Sequence, residues 1–186
     1  MVALQTTRIK LRELEPKDWQ AVSDYASDLE VVRFMNWGPN TKEDTKNFIK
    51  RAIVTRTAKP RQSYSLAVVL KEENKLIGGC GITISDPDNR EGWIGYVFNR
   101  HYWGRGYATE TARALIAFGF RQLGLHRIYA TCDPANTASA RVMEKGGMQC
   151  EGHFREKICV KGTWRDVLVY AILDHEWAKT KMTNVK

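Results

Sequence analysis

The sequence predicts one α/β domain built on a single, mostly antiparallel sheet. β-type runs alternate with helical patterns along the whole chain, with no internal repeat, low-complexity tract or Pro- or Ser-rich linker between them. The 186 residues are enough to bury one full core. The order of elements, βαα-βββ-α-β-α-ββ, groups most strands in consecutive runs, joined at Glu72–Lys75 and Asp86–Asn89 by turn-forming residues.

Ile9-Lys10-Leu11-Arg12 alternates apolar and polar residues, the pattern of a short strand. Pro16 and Asp18 open a helix with Trp19, Val22 and Tyr25 at helical spacing. Thr41, with Asp44 three residues on, fits the looser form of a capping box and starts a second helix. Strands are predicted from Ser63 to Leu70, from Leu76 to about Ser85, and from Trp93 to Phe98. Ala108, Ala112, Leu115, Ile116, Gly119 and Leu123 form the apolar stripe of a third helix. Ile128–Cys132 is a short β-type run. Pro134 and Asn136 lead into a fourth helix that stops at Gly146-Gly147. Two late strands follow, near Gln149–Ile158 and Trp164–Ile172. The domain is expected to span residues 1–177, with a short polar tail at 178–186.

Net charge is +8, from 29 Lys and Arg against 21 Asp and Glu, which favours an anionic ligand. The basic residues are spread along the chain without a block of five or six, and no nucleic-acid motif accompanies them. Nucleic acid is therefore not the expected partner. There is no apolar run of about twenty residues, so no membrane span is expected. The N-terminus lacks the order of a signal peptide, which points to the cytoplasm. Cys80, Cys132, Cys150 and Cys159 are scattered, without C-x-x-C spacing, and read as reduced, buried thiols; no metal site is expected. The six tryptophans read mostly as core or rim residues.

Trp103-Gly104-Arg105-Gly106-Tyr107-Ala108-Thr109-Glu110 is the most informative stretch. It joins an apolar strand to a helix through a glycine-rich turn, where amides at a helix N-terminus can receive a phosphate. It is neither a dinucleotide fingerprint, since Thr109 stands at the third glycine position, nor a Walker A loop, which ends G-K-[ST]. Taken alone, the same spacing also suits a tight turn with no ligand.

Three segments together resemble the GNAT superfamily of acyl-CoA-dependent N-acetyltransferases, and within it the RimJ/RimL-like branch. They are Ile94-Gly95-Tyr96 with Tyr102–Glu110; Asn136–Met148; and Glu151-Gly152 with Trp164-Arg165-Asp166 and Tyr170. The likeness runs from about Ile9 to Trp177. It implies a GNAT-like fold with splayed central strands, acetyl-CoA as cosubstrate and a primary amine as acceptor, and it leaves a homodimer open. The pyrophosphate would lie on the amides of Gly104, Arg105, Gly106, Tyr107, Ala108 and Thr109. The pantetheine arm would run along Tyr96, Val97 and Phe98, with Ile128–Cys132 as the splayed partner strand. Asn136 and Ser139 match positions facing the pantetheine and thiol end, although Asn136 also suits a helix N-cap and Ser139 a helix surface. Phe34, Met35 and Trp37 match the region that walls the acceptor site, and Trp93 stands where many relatives carry a carboxylate. The implied mechanism is direct attack of a neutral amine on the thioester, with a backbone N–H of the Trp93–Phe98 strand holding the oxyanion.

The chain departs from the pattern in three places. His101 replaces the usual Gln or Arg before the loop. Met143 replaces a tyrosine that serves many members as thiolate acid, which leaves Ser139 or water. Trp93 removes the usual base. Glu91 lies on the same face if the strand extends that far, and otherwise is a turn residue. A weak base suits an α-amine: at pH 7 roughly a tenth of an α-amine is neutral, against about one lysine in a few thousand. The expected acceptor is thus a peptide or protein N-terminus. The alternatives are a small amine such as a polyamine or antibiotic, and a non-catalytic acyl-CoA-binding protein.

Overall fold

The computed structural model describes residues 1–182. Eight strands form one sheet: β1 (Ala3–Gln5), β2 (Ile9–Glu13), β3 (Ser63–Leu70), β4 (Lys75–Asp86), β5 (Glu91–Phe98), β6 (Arg127–Cys132), β7 (Gln149–Val160) and β8 (Thr163–Leu173). Among the described residues the helices are α1 (Trp19–Ala26), α2 (Lys42–Thr55), α3 (Tyr107–Arg121), α4 (Thr137–Lys145) and α5 (Asp174–Met182). The expected order is present, with β1 and α5 added. Helix α5 covers part of the segment expected as a tail, and residues 183–186 lie outside the described residues.

The strands run in the order β1-β2-β3-β4-β5-β6-β8-β7, and only β5 and β6 are parallel. That pair is joined by α3, because parallel neighbours need a crossover. Helix α3 lies on one face of the sheet. Its buried Ala112, Leu115 and Ile116 meet Ile82, Ile94 and Ile128 there. Helices α1 and α2 cover the other face, where Val22, Tyr25 and Ile49 pack on Ala67, Val69 and Leu76. Helix α2 opens with the expected capping box: Thr41 Oγ1 accepts from the Asp44 amide at 3.1 Å, and Asp44 accepts from the Thr41 amide at 3.0 Å. Alternation along β5 sends Ile94, Tyr96 and Phe98 to the α3 side, while Val97 joins the cluster beneath α1 and α2.

Trp37, Trp93, Trp103 and Trp164 are exposed, while Trp19 and Trp177 pack at the rim of the two buried clusters. The largest fully buried side chains are aliphatic or methionine, such as Ile82, Leu115 and Met143. Two of the four cysteines, Cys150 and Cys159, are exposed as well, on the outer strand β7.

Gly119 lets α3 approach the sheet closely. A Cβ at that position would stand 2.6 Å from Ile128 Cδ1 and 2.8 Å from Ile82 Cδ1. Gly119→Val should therefore destabilise the protein by about 1–3 kcal/mol through overpacking. A urea midpoint at or above the wild-type value would contradict this close packing.

Candidate active site

Strands β5 and β6 pair at only three positions: Glu91 with Arg127, Gly92 with Ile128, and Trp93 with Tyr129. Beyond Trp93 the two strands follow different neighbours. β4 holds β5 as far as Phe98, and β8 holds β6 as far as Cys132. The facing edges of Ile94–Phe98 and Ala130–Cys132 are left without ladder partners. Backbone groups on such edges need acceptors and donors from elsewhere, and an extended ligand arm can supply them.

An ion-pair clamp closes the base of this gap. Arg127 Nε donates to Glu91 at 2.9 Å, and its two terminal nitrogens reach both oxygens of Glu151 on β7. The guanidinium thus joins β5, β6 and β7 across the intervening β8, and it holds the Glu151 carboxyl below the usual carboxylate range. Strand β5 does extend to Glu91, which is a strand residue and not part of the turn.

The glycine loop stands at the open end of the gap. Gly104 and Gly106 have φ of +72° and +80°, the left-handed region that favours glycine. Gly106 caps α3 without a side chain. The first bond of the helical ladder runs from the Glu110 amide to the Gly106 carbonyl at 3.1 Å, so the amides of Tyr107, Ala108 and Thr109 precede the ladder. Donors in this position, with the positive end of the helix dipole, suit an anion. Arg105 is exposed on the same loop, with its guanidinium 5.7 Å from the Tyr102 ring centre. Arg100, four residues ahead of Gly104, is paired with Asp28 at 3.0 Å.

What fixes the loop has no local signal in the sequence. Glu110 Oε1 accepts from Thr6 Oγ1 at 2.5 Å and from the Arg8 amide at 2.9 Å, and Glu110 Oε2 pairs with Arg8 Nε at 2.8 Å. Arg8 Nη1 also donates to the Arg105 carbonyl at 2.9 Å, and the guanidinium lies 4.6 Å from the Tyr107 ring centre. Burial works to raise the Glu110 pKa, but the hydrogen bonds from Thr6 and Arg8 outweigh it and hold the carboxyl below its ordinary value. These partners lie more than 100 residues apart in sequence.

On the α3 side of the gap, Tyr96 and Ser139 meet. The Tyr96 hydroxyl is 3.1 Å from Ser139 Oγ and 3.2 Å from the Ser139 carbonyl. Burial pushes the Tyr96 pKa up to about 12. Asn136 is the N-cap of α4, accepting from the Ser139 amide at 3.2 Å. Met143 is fully buried beneath the same helix. Phe98 is buried too, and its carbonyl accepts from the Trp103 indole at 2.9 Å.

Trp93 lies on the opposite face of the sheet. Its indole covers Gly95: a Cβ there would sit 3.4 Å from Trp93 Cζ3. Phe34, Met35 and Trp37 lie in the connection between α1 and α2. The β7–β8 hairpin reaches that connection, Lys161 Nζ donating to the Val32 carbonyl at 3.4 Å and Arg165 to the Arg33 carbonyl at 3.3 Å. Arg165 also meets Asp133 at 3.4 Å.

Comparison with known proteins agrees with this architecture. Residues 8–149 match the family model described as the acetyltransferase (GNAT) domain. An uncharacterized N-acetyltransferase of Bacillus subtilis strain 168, YnaD, is 40% identical over 174 residues, covering 94% of this chain and 98% of the relative. The crystal structure of a GNAT-family acetyltransferase from Bacillus anthracis superposes with a TM-score of 0.84 at 38% identity, over 94% of this chain and 99% of that one. The chain belongs to the GNAT acetyltransferase family and is an acetyl-CoA-dependent N-acetyltransferase. Two solved members share its fold at 19% identity and hold coenzyme A. One is RimL, a ribosomal L7/L12 α-N-protein acetyltransferase, with a TM-score of 0.83 over 93% of this chain and 99% of that one. The other is a spermidine N-acetyltransferase from Vibrio cholerae, also complexed with spermine, with a TM-score of 0.80 over the same shares.

The Glu110 tie makes a prediction about acid stability. A carboxyl with a depressed folded pKa stabilises the protein above its unfolded pKa, near 4.3, and loses that contribution as the pH falls through the folded value. Glu110→Gln should cost about 1–3 kcal/mol at pH 7, and the gap to wild type should close as the pH falls below about 4. Urea unfolding across this range checks it; a gap independent of pH would show that the charge is not what ties the loop.

Proposed function

We propose that the protein acetylates the N-terminal α-amine of a peptide or protein, binding acetyl-CoA in the gap between β5 and β6. The observation that carries this is the three-residue pairing of those strands, which opens directly beneath a helix N-terminus preceded by two left-handed glycines. In this proposal the pyrophosphate lies on the amides from Gly104 to Thr109, with Arg105 beside it, and the pantetheine arm bonds along Tyr96, Val97 and Phe98. Phe98 contributes backbone only, its side chain being part of the core. Asn136 holds the first turn of α4 in place, and the Ser139 hydroxyl donates a hydrogen bond to the departing thiolate. A β5 amide receives the oxyanion.

The amine approaches from the face that carries Trp93, past Phe34, Met35 and Trp37. Glu91 is the β5 carboxylate nearest that face, and it is occupied by Arg127. The ion pair fixes that carboxylate at the base of the gap, against Arg127, so in this proposal the acceptor arrives largely deprotonated. An α-amine meets that condition better than a lysine. Asp28, Asp133 and Glu91 are each paired with an arginine at 3.0, 3.4 and 2.9 Å. Acidic groups already neutralised in this way favour a monocationic chain end over a polycation.

Thiol release from acetyl-CoA, measured with peptides bearing free N-termini and with polyamines, should show higher kcat/KM for the peptides. For two peptide acceptors of different pKa, kcat/KM should rise with pH through each acceptor's own pKa. One inflection near about pH 5 to 6, shared by both, would instead assign the proton to an enzyme carboxylate. No thiol release with any amine would remove the catalytic proposal altogether.

Gly106→Asp should weaken coenzyme A binding at least about tenfold, because it sets a negative charge where the pyrophosphate is proposed to lie. Unchanged affinity by calorimetry in a folded variant would place the cofactor elsewhere.

A further inference from the structure

We infer that Tyr96 is a positioning residue for the acyl transfer: its hydroxyl donates to Ser139 Oγ and so turns the Ser139 proton toward the thiol end of the gap. This rests on the role proposed above for Ser139. The two residues belong to different elements, separated by α3 and β6 in the chain. Tyr96 lies on the free edge of β5, and Ser139 lies on α4, which follows β6. Their contact at 3.1 Å therefore spans the gap on its α3 side.

A phenol has one proton to give, and two acceptors stand within reach. The Ser139 carbonyl, at 3.2 Å, belongs to α4, whose ladder already engages such carbonyls four residues on. Ser139 Oγ has no other hydrogen-bond partner among the described residues. If Tyr96 gave its proton to the carbonyl, its oxygen would accept from Ser139, and the serine proton would point away from the gap. Donation to Oγ does the reverse. It leaves the serine proton free for the departing sulfur, and a hydroxyl that accepts one hydrogen bond becomes a stronger donor in the next.

Tyr96 lends a hydrogen bond and keeps its proton. Burial holds that proton to about pH 12, whereas a thiol releases its own near 8.5. Transfer from the phenol to the thiolate would run uphill. The sulfur leaves as a thiolate held by Ser139, and water protonates it afterwards.

The test is a double-mutant cycle on kcat with acetyl-CoA and a peptide acceptor. Tyr96→Phe keeps the ring and removes only the hydroxyl. It should lower kcat about 3- to 10-fold, the effect of one hydrogen bond, with KM for acetyl-CoA within about twofold of wild type. In the Ser139→Ala background the same change should alter kcat by less than about twofold, because there is no serine proton to direct. Equal losses in both backgrounds, a loss confined to KM, or no loss would overturn the inference. A purely structural role for the hydroxyl would appear equally in both backgrounds. Full activity of Ser139→Ala, with wild type active, would remove this inference while leaving the acetyltransferase activity intact. Wild type inactive with every amine would instead remove the reading on which it rests.

Discussion

The short parallel pairing of β5 with β6 is the constraint on which the rest of the site depends. Parallel pairs are joined by a crossover and fed from both ends of a helix, so α3 must start where β5 ends. This puts the helix N-terminus at the mouth of whatever space β5 leaves. Because β5 stays with β4 and β6 stays with β8, a gap opens instead of a continuous sheet. The Arg127 bridge to Glu91 and Glu151 marks where that gap must stop. One backbone feature thereby leaves a free strand edge, the unladdered amides of a helix N-terminus beside it, and two faces of the sheet at the gap.

In the reaction proposed above, the two faces divide the chemistry. Tyr96 and Ser139 belong to the α3 side, and Trp93 to the other. Since neighbouring strand residues point in opposite directions, a change at position 93 alters one face of the gap without touching the serine on the other.

Most of the fold was legible because its signals are local. The capping box at Thr41 and Asp44, the stripe along α3 and the glycines after α4 each lie within a few residues and reappear where expected. β1 was not anticipated: three residues are too few to show a period. In the site, the glycine loop was legible for the same local reason, whereas its fastening to Thr6 and Arg8 was not, since only tertiary folding brings residues a hundred positions apart together. Tyr96 and Ser139 were each visible in a motif, but their contact was not. Glu91 could be placed on the strand face without any hint of the arginine that occupies it. Of the six tryptophans, Trp19 and Trp177 pack at the rim of the buried clusters and the other four are exposed; apolar character predicts burial only on average and does not tell rim from core.

The tie between Glu110 and the first strands also has a bearing on how the chain is assembled. The family match begins at residue 8, so Thr6 stands just ahead of the matched segment, yet its hydroxyl bonds Glu110 in the first turn of α3. During synthesis the amino end must wait for more than a hundred further residues before its carboxylate partner exists. Contacts of such long range close late and slow folding. A chain in which Thr6 and Arg8 are removed, or held by a fused partner, would keep its core elements and leave the loop before α3 unfastened.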